Sequence, residues 1–414
     1  MFDTIFHQVN VPRYKTLMDV GVSEGKITYL VESTANIPQT QEVIEANGRV
    51  LLPGLVEPHI HLDKAFLLDK MAQDATNLQE AIQVTADLKK GFTKDDIKYR
   101  STKVLDRCLD YGVTSLRCHV EVDPIVGLKG MEVLLELKEQ YKDFIDMQLV
   151  TFPQEGIFKE KGTAELMEES LVMGADVVGG IPYNDRDPLE HLRFVYRLAE
   201  KFDKPLDFHV DFSDDPNQLT ILDIISLTID YQFEGRVSVG HLTSLGSVEQ
   251  EAARRISSEL ARADIHVMTL PATDLFLNGR EDKEKVRRGL TPVKLLLEEG
   301  VNVIYGTNNI QNPFTPFGTG DPLEIALLLA HAAQMGTEKD AEKLLDMGTI
   351  HAARALGQKS YGIELNHQAD LVLFDTQRKR NVLVERPRRL GIWRNGKRTD
   401  TMKHPSLYNT ITNM

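Results

Sequence analysis

Two histidines one residue apart, His59 and His61, lie in the run Leu52-Pro53-Gly54-Leu55-Val56-Glu57-Pro58-His59-Ile60-His61-Leu62-Asp63-Lys64. Alternate side chains of a strand share a face, so the two imidazoles project together. At the end of a buried strand such a pair is half of a metal site, because imidazole suits zinc and iron. Further apolar runs also end in histidine. His209 follows Pro205-Leu206-Asp207-Phe208, and His241 follows Arg236-Val237-Ser238-Val239-Gly240. A last run, Val301 to Gly306, leads into Thr307-Asn308-Asn309. With only 12 histidines in the chain, their recurrence at three strand ends exceeds chance placement. A divalent ion held there would bring the pKa of a bound water toward neutrality and supply a hydrolytic nucleophile.

The elements that must position these groups follow from hydrophobic periodicity. Between residues 56 and 356 short apolar strands alternate with amphipathic helices. Strands are expected at Thr114 to His119, Asp146 to Phe152, Val177 to Gly179, Leu206 to His209, Val237 to His241, His266 to Thr269 and Val301 to Gly306. Helices are expected at Thr76 to Lys90, Thr93 to Tyr111, Gly130 to Tyr141, Gly162 to Met173, Pro188 to Phe202, Asn217 to Tyr231, Ser247 to Ala263, Thr291 to Glu299 and Asp321 to Met335. With the strand before His59 this makes eight βα units, which favours an α/β (β/α)8 TIM-like barrel over an open sheet. No G-x-G-x-x-G loop is present, which weakens a nucleotide-binding fold further. In such a barrel functional groups sit at the C-terminal ends of strands, where these histidines fall. Both chain ends read as β: Asp19 to Val22, Gly25 to Val31 and Gly48 to Leu52, then Ala369 to Phe374, Asn381 to Val384 and Gly391 to Lys397. Residues 1–55 and 357–414 are therefore expected to form a small β-sandwich beside a catalytic barrel spanning 56–356.

Composition bounds the classes. The 414 residues are 42% hydrophobic and 27% charged, as in a globular protein with ample core. A net charge of −14, scattered along the chain, argues against nucleic-acid and anionic-membrane partners. Two cysteines, Cys108 and Cys118, indicate a reduced compartment. No signal-peptide pattern and no apolar run of roughly 18 residues is present. The expectation is a cytoplasmic protein acting on a small molecule.

Several motifs in register resemble the amidohydrolase superfamily, and within it the cytosine deaminase branch and the triazine-ring amidohydrolases. They are Pro53-Gly54-x-Val56-Glu57-Pro58-His59-Ile60-His61-Leu62-Asp63, Phe152-Pro153-Gln154-Glu155-Gly156-Ile157, Met173 to Gly179, His209-Val210-Asp211-Phe212-Ser213-Asp214-Asp215, Asn278-Gly279-Arg280, Arg287 to Lys294 and Pro313 to Thr319. The resemblance implies attack of metal-bound hydroxide on a C–N bond of a small cyclic nitrogenous substrate such as a pyrimidine or triazine. It implies one divalent ion, zinc or iron, on His59, His61 and His209, with Asn308 at the position of a family aspartate. One ion is expected because no lysine follows Met147 to Thr151, where binuclear relatives carry a bridging one. His241 would hydrogen-bond the water, while Gln154, Phe212, Asn309 and Phe314 would face the substrate. A homo-oligomer is also implied.

Two positions depart from that pattern. Deaminases carry an aspartate where Asn308 stands, with a second at Asn309, and a glutamate where Phe212 stands. An asparagine amide can ligate or orient but cannot act as a base near neutral pH. Three readings follow. A working enzyme would rest its proton transfers on His241, Asp63 or substrate groups. A catalytically impaired member would act as a small-molecule binding or regulatory protein. A chain with two aspartates changed to asparagine would trap a complex.

Overall fold

A computed structural model describes residues 1–400; residues 401–414, the end of the expected C-terminal β module, lie outside the described residues. In chain order the strands are β1 (Phe2–Val9), β2 (Met18–Ser23), β3 (Lys26–Glu32), β4 (Thr40–Glu45), β5 (Leu51–Pro53), β6 (Leu55–Ile60), β7 (Val113–Glu121), β8 (Asp146–Phe152), β9 (Val177–Gly180), β10 (Leu206–Val210), β11 (Val237–His241), β12 (His266–Thr269), β13 (Val303–Tyr305), β14 (Leu371–Phe374), β15 (Arg389–Arg394) and β16 (Lys397–Arg398).

Strands β6 to β13 form one eight-stranded sheet in sequential order, and every pair in it is parallel. Almost every residue of these strands is buried, as expected of a parallel sheet with side chains packed on both faces. The ring closes where Ile60 bridges Asn308: the Asn308 N–H donates to the His59 carbonyl at 2.8 Å, and the His61 N–H to the Asn308 carbonyl at 2.9 Å. This is a (β/α)8 barrel with helices on its outside, from Leu78–Lys89 to Pro322–Ala332.

The termini build two further four-stranded sheets, in the orders β3-β2-β1-β4 and β16-β15-β14-β5. The second lies between the first and the barrel, and period-two alternation explains how. Leu51, Leu371, Leu373 and Trp393 pack with Phe6, Val20 and Val22 of the first sheet. Their neighbours Leu52, Val372, Phe374 and Ile392 belong instead to the barrel's own core. Trp393 stands edge-on to Phe6, with ring centroids 4.7 Å apart.

Several expectations need correction. Residues 381–384 are not a strand: Lys379–Val384 is a helix whose Val382 and Leu383 are buried against the barrel core. Four consecutive apolar or amide residues carry no period, so tertiary burial decided between strand and helix. Phe2–Val9 and Thr40–Glu45 are strands not anticipated, as are the helices Pro271–Leu277, Glu338–Met347 and Ile350–Ala355. Both cysteines are buried free thiols. Among the described residues no helix is long and apolar enough to cross a membrane.

The seam has no spare room. A Cβ on Gly306 would come within 2.9 Å of the His59 Cβ and 3.1 Å of Glu57 Oε1. Gly306→Ala is expected to cost about 1–3 kcal/mol through overpacking. It should also lower metal affinity by displacing His59; denaturant melts and metal titration of the same variant check both effects.

Candidate metal centre

Inward rows spaced by two residues build the centre. Strand β10 contributes Asp207 and His209, β7 contributes Arg117, His119 and Glu121, and β6 with its following residue contributes His59 and His61. The His209 Nε2 lies 3.2 Å from His59 Nε2 and 3.3 Å from His61 Nε2. Two nitrogens bound to one zinc at about 2.0–2.1 Å in tetrahedral geometry would stand roughly 3.4 Å apart, so the spacing suits a shared ion. One ligand atom from each of these three buried histidines lies within 4.8 Å of the others, a set that fits a divalent cation, and the Oδ1 of Asn308 is buried without a hydrogen-bond partner. Burial holds all three imidazoles well below the usual histidine pKa, which keeps them neutral and available as ligands.

Beneath them lies a polar layer the sequence reading missed. Arg117, almost fully buried, donates to Asp207 Oδ2 at 2.8 Å, to Ser238 Oγ, to Gln148 Oε1 and to the Ala355 carbonyl. The Asp207 Oδ1 is 3.2 Å from His119 Nε2 and 4.0 Å from His59 Nδ1. The His119 ring stacks on His59 at 3.9 Å. The signal was present, since the strand expected at Thr114 to His119 itself ends in histidine.

His241 stands beside the cluster, its ring centroid 5.3 Å from His209. Its Nδ1 is 2.6 Å from Asp274 Oδ1, on the unanticipated helix Pro271–Leu277. With Nδ1 donating to that carboxylate, Nε2 is left as an acceptor. His241 and Leu242 both adopt left-handed backbone, at φ 71° and 52°, as does Asn308 at φ 60°. Non-glycine residues hold such conformations at a cost, and they concentrate at functional sites. The Phe212 ring stacks face to face on His241 at 4.1 Å, with 12° between the planes.

Other expected residues are placed as follows. Phe314 is buried and joins Phe212, Leu277, Ala75, Ala81 and Ile82 in an apolar cluster over the mouth, whereas Phe317 is largely exposed. Gln154 is buried, and its Oε1 accepts from Lys64 Nζ at 3.0 Å. The Asn309 amide is spent within the protein, donating to Thr273 Oγ1 and accepting from Asn312 Nδ2. The Asp63 carboxylate turns toward the Glu121 N–H and the Gly130 backbone rather than the histidines; burial raises its pKa to about 6. Asp211 accepts from the N–H groups of Thr220 and Ile221, and Asp214 from Gly279 N, so both carboxylates are turned to backbone partners.

A charged network flanks the centre. Lys64 Nζ donates to Glu121 Oε1 at 2.7 Å, and Lys89 Nζ meets Glu121, Asp123 and Glu155 at 2.7–2.8 Å. Burial pushes the Glu121 carboxyl up, but the two ammonium groups outweigh it and hold the pKa at about 2. Lys89 ends the helix Leu78–Lys89, whose Ala81 and Ile82 cover the mouth, so the network ties that cover to the barrel.

The amidohydrolase family pattern matches residues 42–398. The chain belongs to the amidohydrolase family. That places it among hydrolases acting on carbon–nitrogen bonds other than peptide bonds. It is 28% identical over 409 residues to N-isopropylammelide isopropyl amidohydrolase of Pseudomonas sp. (strain ADP), covering 96% of each chain. It is 25% identical over 367 residues to a pterin deaminase of Rhizobium rhizogenes, covering 87% of this chain and 82% of that one. A crystal structure of 5-methylcytosine deaminase from Klebsiella pneumoniae, liganded with 5-fluorocytosine, superposes with a TM-score of 0.91 at 30% identity, over 95% of this chain and 96% of that one.

Lys89→Met would leave three buried carboxylates with one ammonium fewer. The expected loss is about 3–5 kcal/mol near neutral pH. A carboxylate whose folded pKa is depressed contributes stability above its unfolded pKa and loses it as the pH falls toward the folded value. The difference between variant and wild type should therefore shrink on acidification below the ordinary carboxylate range. Urea melts at neutral pH and at an acidic pH measure it.

Proposed function

We propose that the chain is a metal-dependent amidohydrolase that cleaves a C–N bond of a small cyclic nitrogenous substrate of the pyrimidine or triazine kind. The observation that carries this reading is the convergence of three buried imidazoles, His209 Nε2 lying 3.2 Å from His59 Nε2 and 3.3 Å from His61 Nε2, with His241 held by Asp274 at their side. His59, His61 and His209 would hold one zinc or iron ion, with the Asn308 amide oxygen as the remaining protein donor. When bound, such an ion activates a water and polarises the carbon to be attacked.

Proton handling rests on the chain's own groups. His241 Nε2, an acceptor while Nδ1 donates to Asp274, can take a proton at the attacking oxygen's position and return it to the leaving nitrogen. Asp274 holds the ring's tautomer and orientation. Asn308 cannot share this task because its amide has no accessible proton equilibrium, so it orients by hydrogen bonding or ligation alone. Phe212 contributes a flat apolar face, which fixes the His241 ring and keeps water from its side. Phe314 and Phe152 offer further flat walls, the latter stacked on His209 at 4.2 Å. The names of the relatives support a ring bearing an amino or alkylamino leaving group.

The purified protein is expected to contain one zinc or iron ion per chain by elemental analysis, and His61→Ala to lose it. A metal-free wild type with no affinity for added zinc or iron would overturn the reading. A metal-loaded protein that releases neither ammonia nor amine from pyrimidines, pterins, triazines and cyclic ureas would favour the binding-protein alternative. That alternative is motivated by Phe212 and Asn308 standing where acid/base carboxylates stand in deaminases.

Asp274→Asn should preserve metal content and lower kcat by about 10²–10⁴-fold, the range of a lost general acid/base. An unchanged kcat–pH profile in that variant would exclude the His241–Asp274 pair from proton transfer.

A further inference from the structure

The backbone turn that aims His241 is anchored from outside the metal centre. Strands β11 and β12 pair as far as Gly240 with Met268, and their register goes no further. His241 and Leu242 then leave the strand with left-handed backbone, at φ 71° and 52°. On the β10 side the chain stays attached: the Leu242 N–H donates to the Val210 carbonyl at 3.0 Å, and the Ser244 N–H to the Asp211 carbonyl at 3.1 Å. On the β12 side two groups are redirected. The Leu270 N–H donates to Asp274 Oδ2 at 3.2 Å, and the His241 carbonyl accepts from the Thr291 hydroxyl at 2.5 Å. A histidine and a leucine keep such φ values only where their surroundings over-determine them. Thr291 lies 50 residues further along the chain and is 1% exposed, which shields this bond from water. Pro292 follows it and restricts Thr291 to extended backbone, while its β-branched side chain is stiff at χ1. The hydroxyl is therefore a donor set in place by its own local sequence.

We propose that Thr291 is a positioning residue for proton transfer: by holding the His241 carbonyl, it maintains the left-handed turn that keeps the imidazole on Asp274. This rests on the reading of His241 as the group that handles the proton. Phe212 fixes the plane of the ring by stacking, and Asp274 fixes its tautomer. Neither holds the backbone that decides where the His241 side chain starts. Relaxation of φ from 71° to the ordinary negative region would swing the imidazole off Asp274, whose own place is set by the helix Pro271–Leu277 and the Leu270 N–H. Without the hydroxyl, the carbonyl is left buried and unpaired, and the turn loses a bond that offsets its strain.

Nuclear magnetic resonance of zinc-loaded protein, with the histidine ring nitrogens labelled and the His241 signal assigned through His241→Gln, reads this geometry without a substrate. Wild type is expected to show a protonated Nδ1 on His241 whose proton exchanges slowly with water. Thr291→Val, similar in shape but lacking the hydroxyl, should lose the bond to Asp274, and exchange of that proton should rise at least about tenfold. Thr291→Ser, which keeps the donor, should retain the slow proton, and both variants should keep the wild-type zinc content. A slow proton retained in Thr291→Val overturns the proposal. So does its loss from Thr291→Ser to the same extent, or its loss from Thr291→Val together with the zinc, which would mark a general collapse of the centre. Should Thr291→Val not fold, Thr291→Ala carries the same test, and failure of both to fold makes Thr291 a structural residue and overturns the proposal. Absence of the slow proton from wild type itself would overturn the pairing of His241 with Asp274 and this proposal with it, whereas its retention in Thr291→Val overturns this proposal alone.

Discussion

Two backbone hydrogen bonds at the barrel seam set the geometry on which the centre depends. Asn308 donates to the His59 carbonyl and accepts from the His61 N–H, so the first strand and the residues after the last are knitted at the ligands themselves. A parallel barrel needs this closure to satisfy its edge strands. Here the same bonds fix two imidazoles and one amide relative to each other before any side-chain contact is made. Glu57 reinforces the joint from behind, accepting from the N–H groups of His59 and Thr307 and from the Thr307 hydroxyl. Gly306 is small because His59 and Glu57 occupy the space a side chain would need.

From that seam outward, the centre is built in layers. The lower one is ionic and rigid, with Arg117 tying β7, β8, β10 and β11 together through Gln148, Asp207 and Ser238. The middle one is the cluster of neutral imidazoles, whose neutrality follows from their burial. The upper one is apolar, with Phe212 and Phe314 beneath the helix Leu78–Lys89. His241, Gln154, Lys64 and Asn308 are among the polar groups at these strand ends. Several carboxylates in the vicinity have partners of their own, Asp207 in Arg117, Asp274 in His241, Glu121 in the two lysines and Asp211 in a helix N-terminus. The group this arrangement offers for moving a proton is the His241 imidazole, oriented by Asp274. On the resemblance read from the sequence, carboxylates stand in deaminases where this chain has Asn308 and Phe212.

Much of this was legible in the residues. Eight apolar runs separated by amphipathic helices imply the barrel, because parallel strands buried on both faces read as continuous hydrophobic stretches. His59, His61, His209 and His241 were found because barrel chemistry collects at strand ends. His119 was passed over although it ends a recognised run, since a histidine two residues before a carboxylate, in His119-Val120-Glu121, gives no local hint of which neighbour it will meet. The helix at Lys379–Val384 was misread for a related reason: its type is set by burial of Val382 and Leu383 against the barrel, not by any period of its own.

The sequence by itself determined the class of fold and the kinds of groups at the strand ends, since periodicity and residue type are local properties. Which groups would meet was decided only by the tertiary structure. Asp274 reached His241 across 33 residues, Lys64 reached Gln154 across 90, and Asn308 reached Ile60 across the whole barrel. Asp63 and Asn309, equally plausible by position, were turned to backbone and side-chain partners instead. The physical reason is that a one-residue change in direction at a strand end, such as the left-handed turns at His241 and Asn308, redirects a side chain entirely. Such turns are held by contacts distant in sequence, so no local pattern records them.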